Sequence, residues 1–436
     1  MNLIEHPTSP APASLGNSIE KHPTKGEWSL EPTKLLCQAL QVQPSKFRSI
    51  HITGTNGKGS VVAMVSSVLI QAGFKVGTYT SPHLLDARER ILINGEKIRE
   101  KEFKEITQKV QAAAGRLPKG VSASFFEQMT VAAFLYFQQQ QVDFVVAEVG
   151  LGGRLDSTNL LQPLVAVITN VSIEHSELLG KTEKEIAFEK AGIIKQGCSV
   201  VTGAQGEALQ VMHEKCAKEN ANLLFVNESD LLEVQCDQEK TCFTLQATNK
   251  STQYCTPLLG RHQALNAAIA VKAIEMLAQK GFAVSGKAIT DGLLKVHWRG
   301  RLEKISSKPL VVVDCAHNPA AARTLAISVN ELWRGKELLL VCGILGDKDV
   351  QGVLEGFSQM PIRKFFAAAP KTERALPAGE LAAKASKKFG EAKVLQCESV
   401  DAAMEKAVEE CGENQMVLVA GSLYTVAQAM RYFEKK

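Results

Sequence analysis

Alternating strand and helix patterns along this chain of 436 residues predict an α/β fold built on a doubly wound parallel sheet. Two observations carry this prediction. Several strand-like runs are continuously apolar, such as Leu310–Asp314 and Glu337–Cys342, which is typical of parallel strands covered on both faces. In addition, a glycine-rich loop joins the strand-like run Ser49–Thr53 to the apolar helix-like run Val61–Ile70.

The remaining elements follow from the same patterns. The other runs predicted as strands are Lys75–Thr80, Phe144–Val149, Val165–Thr169, Ser199–Thr202, Lys364–Ala368 and Met416–Ala420. The stretch Asn222–Thr256 is polar and alternating, which predicts a small antiparallel insertion, and a helix is expected over Gln263–Ala278. The pattern breaks near His297–Arg301, and a new strand–helix series begins there. We therefore predict two domains, residues 1–298 and 299–436.

Composition excludes several classes of protein. The hydrophobic content of 45% and the charged content of 22% are typical of a soluble globular protein. No apolar segment is expected to reach the length that spans a membrane. The net charge is +4, and no basic stripe indicates a nucleic-acid partner. We expect neither nucleic acid nor membrane among the partners.

The ten cysteines are scattered without C-x-x-C spacing, and Cys315 and Cys342 lie in apolar runs. This usage predicts reduced, buried thiols in a cytoplasmic protein rather than a disulfide or zinc framework. Residues 1–16 are rich in Pro, Ser and Ala, which predicts a loose tail.

The run from His51 to Ser60, HITGTNGKGS, is the most informative segment. Its glycines remove side chains from a strand-to-helix turn, so the backbone N–H groups can close on phosphate oxygens. The residues predicted to form this cradle are Gly54, Thr55, Asn56, Gly57 and Gly59. The helix that follows adds the positive end of its dipole.

Lys58 and Ser60 complete the nucleotide motif. Lys58 is expected to reach the outer phosphates, and the Ser60 hydroxyl is expected to ligate Mg²⁺. The loop departs from the general pattern G-x-x-x-x-G-K-[ST], because Gly59 separates the lysine from the hydroxyl. The prediction is a site for ATP or a related nucleotide, and the alternative is a glycine-rich turn that binds nothing.

Three further residues are candidates for the same chemistry. Glu148 closes an apolar strand, where a carboxylate is well placed to hold Mg²⁺ beside phosphates, although a satisfied polar strand end would look the same. His175 follows the next strand, and its alternative is a structural histidine. Lys190 lies in apolar company, and its alternative is a lysine whose stem alone is buried.

In the C-terminal half, a strand ends and a helix begins at Asp314–Pro319 (DCAHNP). Asp314 and His317 are placed to face one cleft. Asn318 and Pro319 suit the cap and first turn of a helix, and capping by itself accounts for Asn318.

Taken together, these segments resemble folylpolyglutamate synthase and dihydrofolate synthase, ATP-dependent ligases of the Mur ligase superfamily. The matching stretches, which keep the family order, are TGTNGKGS (53–60), TSPHL (80–84), EVGLGGRLDSTN (148–159), EHSELLG (174–180), EKAGII (189–194), HQALNA (262–267), GRLE (300–303), DCAHNP (314–319), LGDKD (345–349) and AGSLYTVA (420–427).

The resemblance implies an N-terminal P-loop ATPase domain with a parallel sheet and a smaller, Rossmann-like C-terminal domain. It places Mg²⁺ ligands, for two expected ions, at Ser60, Ser81, Glu148 and His175. In many members the lysine that matches Lys190 carries a carbamate that helps to hold a metal. Together with Lys58 and His175, Lys190 is therefore assigned to catalysis.

The same resemblance assigns ligand contacts. Nucleotide contacts fall on Asn266, Arg301, Asp314 and His317. The pocket for a pterin-linked acid is expected to border Pro82, His83, Phe125, Phe126 and Asp156, with Arg88 and Arg90 placed to meet a glutamyl carboxylate. For Phe125 and Phe126, a role in the core alone is equally consistent with the pattern. Two departures occur, since the family usually has Asp at the position of Glu174 and Gly at the position of Cys315.

The implied reaction is amide formation driven by ATP. A pterin-linked carboxylate attacks the γ-phosphate to give an acyl phosphate and ADP, and the amine of L-glutamate then displaces phosphate. The acceptors are expected to be dihydropteroate and reduced folates, and a monomeric, bifunctional enzyme is predicted.

Two other classes of protein remain open at this stage. A Mur-type peptidoglycan ligase shares the loop and central motifs, but such enzymes carry a further N-terminal domain, for which about 50 residues are too few. The other alternative is a nucleotide-binding switch without ligase activity, and the cleft residues of the C-terminal half argue against it.

Overall fold

The computed structural model describes residues 28–246 and 251–434. The chain forms two compact units that alternate along the sequence. The first unit contains the described residues up to Gly54, Gly73–Leu224 and Gln279–Gly281, and the second contains Thr55–Ala72, Phe225–Ala278 and the chain from Phe282 onward. This division does not test the boundary predicted between residues 298 and 299, which stays a prediction. The tail predicted over residues 1–16 lies outside the described residues.

Helices and strands alternate over most of the described chain. The strands are β1 (Ser49–Thr53), β2 (Val76–Tyr79), β3 (Ile91–Ile93), β4 (Glu96–Lys97), β5 (Phe144–Glu148), β6 (Val165–Ile168), β7 (Ser199–Thr202), β8 (Asn222–Phe225), β9 (Leu231–Cys236), β10 (Thr241–Leu245), β11 (Thr252–Thr256), β12 (Glu303–Ser307), β13 (Leu310–Val313), β14 (Glu337–Cys342), β15 (Ile362–Ala367), β16 (Val394–Gln396) and β17 (Gln415–Ala420). The helices are α1 (Glu31–Ala39), α2 (Lys58–Gln71), α3 (Glu100–Ala114), α4 (Phe125–Gln140), α5 (Ser176–Leu179), α6 (Glu183–Ala191), α7 (Gly206–Lys218), α8 (Arg261–Gln279), α9 (Gly286–Leu294), α10 (Pro319–Leu332), α11 (Val350–Phe357), α12 (Ala378–Phe389), α13 (Val400–Glu410) and α14 (Leu423–Glu434).

The first unit is built on an eight-stranded sheet in the order β4-β3-β2-β5-β1-β6-β7-β8. Its centre is parallel, from β2 through β5, β1 and β6 to β7. At one edge, β3 and β4 are antiparallel to their neighbours. The predicted parallel strands therefore form the centre of the sheet. The short edge strands were not predicted, because two or three residues show no clear period.

The second unit contains two sheets. The larger has six strands in the order β12-β13-β17-β14-β15-β16, and only β12 is antiparallel to its neighbour. The smaller is the antiparallel sheet β11-β10-β9. The predicted α/β class is thus confirmed. The antiparallel insertion is confirmed for β9 to β11, but its predicted start at Asn222 is wrong, because residues 222–225 form β8 of the eight-stranded sheet.

Burial explains the apolar strand sequences. Val311–Val313 in β13 and Leu338–Cys342 in β14 are buried on both faces of the six-stranded sheet. Full burial of each such aliphatic side chain contributes about 1.5–3 kcal/mol, so these central strands hold the sheet together.

The structure corrects one prediction about cysteine. Cys242 and Cys255 lie directly opposite each other on β10 and β11, with their Cα atoms 4.1 Å apart, and they form a disulfide. The expectation that all ten cysteines are reduced is therefore wrong for this pair, because sheet register, which the spacing of the cysteines does not reveal, brings them together. Cys315 and Cys342 are buried free thiols, as predicted.

Within the described part of the chain, no helix is both long enough and apolar enough to span a membrane.

Candidate active site

Four neighbouring strands of the first unit end at residues predicted to be functional. The strands β2, β5, β1 and β6 are adjacent and parallel, so their carboxyl ends share one edge of the sheet. Ser81 follows β2, Glu148 ends β5, Gly54 follows β1, and His175 lies in the segment after β6. Ligands gather at this edge in open α/β sheets. Strand order therefore places separate sequence motifs at one edge.

Glu148 and Ser81 are in direct contact. The buried Glu148 carboxylate accepts a hydrogen bond through Oε2 from the backbone N–H of Ser81, at 3.2 Å. Glu148 pairs in register with Ile52 of β1, one residue before the strand ends. The Glu148 carboxylate and the Ser81 hydroxyl are hard oxygen donors of the kind that Mg²⁺ prefers. The residues present thus fit such an ion.

The loop after Glu148 is held from two sides. The Thr53 hydroxyl donates to the carbonyl of Gly152 at 2.6 Å, and the backbone of Gly150 lies against the ring of Phe126. Asp156 accepts from the backbone N–H of Leu151 at 2.9 Å. The loop is thereby fixed relative to β1.

Asp156 has an internal role that sequence analysis missed. Its carboxylate also accepts from the Thr158 backbone N–H and hydroxyl, and the Thr158 oxygen lies 2.8 Å from His51 Nε2. Because the Thr158 proton goes to Asp156, His51 must donate through Nε2. Burial raises the pKa of Asp156 to about 6, and burial together with Lys195 lowers the pKa of His51 to about 3. The contact of Asp156 with a substrate stays a prediction.

His175 and Lys190 occupy the segment and helix that follow β6. His175 adopts a left-handed conformation, with φ of 48°, at the start of α5. Lys190 is buried on α6, and its Nζ lies 3.4 Å from Oε1 of Glu174, the neighbour of His175. Lys190 thus contacts the residue that directly precedes His175 in the chain. No cluster of three or more His, Cys, Asp or Glu side chains suited to a metal occurs among the described residues.

Among the residues predicted to contact the acid substrate, three lie in contact with one another, and Arg88 is paired with another residue. Arg90 is buried, donates through Nε to His83 Nδ1 at 3.0 Å, and lies over the ring of Phe125 at 5.2 Å. Arg88 instead pairs with Asp86. Pro82 follows Ser81 directly, and Phe126 lies near Tyr79. The structure brings His83, Arg90 and Phe125 together and gives Arg88 a different partner.

In the second unit, the phosphate loop leads into α2. Lys58 Nζ donates to the carbonyl of Thr55 at 3.1 Å, and Ser60 is buried in the first turn. Gly57 has a φ of 86°, and a Cβ at this position would lie 2.5 Å from Oδ1 of Asn266. Only glycine satisfies both constraints. The predicted nucleotide residue Asn266 therefore lies against the loop itself.

The C-terminal candidates surround the end of β13. Asp314 accepts from the backbone N–H groups of Leu302 and Ala316, at 3.0 and 2.8 Å, and burial raises its pKa against the opposing effect of Arg301. His317 is oriented by a 2.9 Å contact between Nδ1 and the carbonyl of Cys315. Arg301 thus acts electrostatically on Asp314, while the cleft shared by Asp314 and His317 stays a prediction.

Sequence analysis did not single out His262, which lies four residues before Asn266 on α8. Burial, aided by Arg301, lowers the pKa of His262 to about 4, so this imidazole is neutral near pH 7. The motif HQALNA contains this histidine, and the motif was the available signal.

Comparison with known proteins defines the class first. The family model for the Mur ligase middle domain matches residues 52–274. The family model for the Mur ligase glutamate ligase domain matches residues 300–423. A P-loop sheet followed by a glutamate ligase domain defines an ATP-dependent ligase that forms an amide bond. This finding excludes the nucleotide-binding switch.

Individual relatives show to which family of these ligases the chain belongs. The chain is 34% identical to the dihydrofolate synthase/folylpolyglutamate synthase of Bacillus subtilis strain 168 over 406 residues, which cover 90% of this chain and 92% of the relative. The crystal structures of Mycobacterium tuberculosis folylpolyglutamate synthase complexed with ADP and AMPPCP match with a TM-score of 0.87 at 31% identity, covering 94% and 96% of the two chains. Escherichia coli FolC in complex with DHPP and ADP matches with a TM-score of 0.84 at 30% identity, covering 97% and 96%. The chain belongs to the dihydrofolate synthase/folylpolyglutamate synthase family of Mur ligases.

Proposed function

We propose that this enzyme uses ATP to join L-glutamate both to dihydropteroate and to reduced folates. The observation that carries the proposal is the shared sheet edge, where Glu148 contacts Ser81 beside the strand that leads into the phosphate loop. The Bacillus subtilis relative, which is 34% identical to this chain, is named for both activities. One set of residues would then serve two acceptors that end in similar carboxylates.

The chemistry begins with a carboxylate that attacks the γ-phosphorus of ATP. A new P–O bond forms, the bond to the β-phosphate oxygen breaks, and ADP leaves. The glutamate amine then attacks the acyl carbon, loses a proton and expels inorganic phosphate. Since both ATP and the acceptor are anionic, Lys58 and the N-terminus of α2 supply the positive charge that the transferring group needs.

The residues that would hold Mg²⁺ are Ser60, Ser81, Glu148 and His175. The oxygen donors of the first three suit the ion, and His175 is included by the family assignment. When bound, the ion would neutralise phosphate charge and orient the γ-phosphate. Two ions are proposed, and a carbamate on Lys190 would supply oxygen ligands to one of them.

Nucleotide and acceptor contacts follow the family assignments. We assign Asn266, Arg301, Asp314 and His317 to the nucleotide. The acceptor contacts are Pro82, His83, Arg88, Arg90, Phe125, Phe126 and Asp156. The group of His83, Arg90 and Phe125 supports an acceptor site, because a buried guanidinium next to an aromatic ring suits a flat, anionic ligand. A cytoplasmic location and a monomeric state belong to the same proposal.

Incorporation of labelled glutamate tests the proposal. Purified protein with ATP and Mg²⁺ should form dihydrofolate from dihydropteroate and should also extend tetrahydrofolate. Phosphate should be released only when acceptor and glutamate are both present. Lys58→Ala should lower both turnovers by about 100-fold or more while the protein stays folded. Incorporation with only one acceptor would overturn the dual assignment, and near wild-type turnover of Lys58→Ala would overturn the role of the loop.

A further inference from the structure

The phosphate loop contacts a helix start that lies far away in sequence. Asn318 Nδ2 donates to Asn56 Oδ1 at 3.0 Å, and the reverse contact, from Asn56 Nδ2 to Asn318 Oδ1, is 3.5 Å. These residues are 262 positions apart, and both belong to the second unit. Capping of α10, which accounted for Asn318 from sequence alone, does not explain this amide pair.

The cap determines which way the Asn318 amide faces. The backbone N–H of Ala321 can only donate, and it reaches Asn318 Oδ1 at 2.8 Å. The oxygen of the amide must therefore face α10, and the NH₂ group must face Asn56. The first turn of α10 thus holds the NH₂ group of Asn318 in position to donate a hydrogen bond to Asn56.

That donor fixes the orientation of Asn56 in turn. Asn56 must present its own oxygen to Asn318, which sets its side-chain amide immediately before Gly57 and Lys58. Gly57 has almost no freedom of its own, because its left-handed backbone lies against Asn266. A shift of Asn56 would therefore be passed to the backbone N–H groups that follow it.

We propose that Asn318 is a positioning residue for the phosphate loop and acts through Asn56. The inference rests on the proposed function, because it takes residues 54–60 to be the nucleotide site. Asn318 is 8% exposed, so the amide pair is shielded from competing water. Asn318 has two separable roles, a cap for α10 and a donor to the loop.

Substitutions separate these roles. Asn318→Ser keeps a side-chain oxygen for the cap but removes the amide donor. Asn318→Ala removes both. Ser399→Ala is the matched control, because Ser399 caps α13 through the N–H of Ala402 in the same way and makes no contact with the loop in that role.

The experiment measures ADP affinity in the presence of Mg²⁺ by calorimetry, together with thermal unfolding, for the full chain. Asn318→Ser should weaken ADP binding about 3- to 10-fold, the effect of one lost hydrogen bond, with little change in melting temperature. Ser399→Ala should lower the melting temperature and leave ADP affinity unchanged. Asn318→Ala should show both effects.

A double-substitution cycle with Asn56→Ala tests whether Asn318 acts through Asn56. Asn318→Ser should have no further effect on ADP affinity once Asn56 is alanine. Wild-type affinity in Asn318→Ser, or the same loss in the Asn56→Ala background, would overturn the inference. Wild-type protein that binds ADP but incorporates no glutamate would overturn the proposed function and leave the positioning role standing. Wild-type protein that binds no ADP would overturn both.

Discussion

At the scale of single residues, the buried charged groups carry the most information. Lys190 is the clearest case, because a lysine with 1% exposure needs a compensating charge, and Glu174 lies 3.4 Å from its amine. Conversion of the amine to a carbamate would replace this attraction with repulsion between two anions. A divalent cation between them would remove that repulsion.

We therefore expect the carbamate on Lys190 to depend on the metal. Protein equilibrated with carbon-13 bicarbonate should show a carbamate resonance that grows when Mg²⁺ and ADP are added. Lys190→Arg, which keeps the charge but cannot be carbamylated, should lack the resonance and most of the activity. A metal-loaded wild-type protein with no such resonance would refute the modification.

His51 and Asp156 should have opposite effects on the pH dependence of the free energy of unfolding. The pKa of Asp156 in the folded protein, about 6, lies above its ordinary value. Its contribution to the free energy of unfolding is therefore favourable at low pH and is lost as the pH rises through about 6. The folded pKa of His51, about 3, lies below its ordinary value, so its contribution is present above pH 6.5 and is lost as pH falls. The two slopes offset each other between about pH 4 and pH 6.

Asp156→Asn should therefore reveal the slope that His51 produces. Its free energy of unfolding should rise more steeply with pH between about pH 4 and pH 6 than that of the wild type, by up to about 1.4 kcal/mol per pH unit. Urea unfolding at several pH values measures this, and His51→Gln should change the slope in the opposite direction. Parallel curves for Asp156→Asn and wild type would show that the Asp156 pKa is not raised.

At the scale of elements, the first turn of α2 is shaped by a neighbour. A Cβ at Gly59 would lie 2.6 Å from Cζ2 of Trp298, which precedes β12 in the same unit. This contact explains why the residue between Lys58 and Ser60 is a glycine, since any side chain there would collide with the Trp298 ring.

Gly59→Ala should consequently displace Trp298 or the helix start. We expect a lower melting temperature and at least about tenfold weaker ADP binding, because the displaced turn carries Lys58 and Ser60. Trp298→Leu in the same protein should restore much of the loss by opening space. Gly286→Ala is the control, since nothing lies within 4 Å of its added Cβ. A Gly59→Ala protein as stable and as tightly binding as the control would contradict this explanation.

At the scale of the whole molecule, the two family models lie in tandem and account for residues 52–274 and 300–423. The Bacillus subtilis relative, which is named for both activities, is covered over 92% of its length. Under the proposed function, the phosphate loop and the group of His83, Arg90 and Phe125 would serve both acceptors.

A single acceptor site predicts mutual competition. Dihydropteroate should inhibit glutamate addition to tetrahydrofolate competitively, with an inhibition constant close to its own KM as a substrate. Arg90→Lys should impair both reactions, because lysine does not reproduce the planar contact with Phe125 and His83. Noncompetitive inhibition, or loss of only one reaction, would indicate separate acceptor sites.

The sequence by itself determined the α/β class, the central parallel strands, the phosphate loop and the residues at the strand ends, because each depends on local periodicity or on a short motif. Only the tertiary structure decided three other features: the hydrogen bonds from His51 through Thr158 to Asp156, the Asn56–Asn318 pair and the Cys242–Cys255 disulfide. Each joins residues that are separate along the chain. Their meeting depends on strand order and register, which are set by how whole elements pack together, and the same local sequence is compatible with other partners.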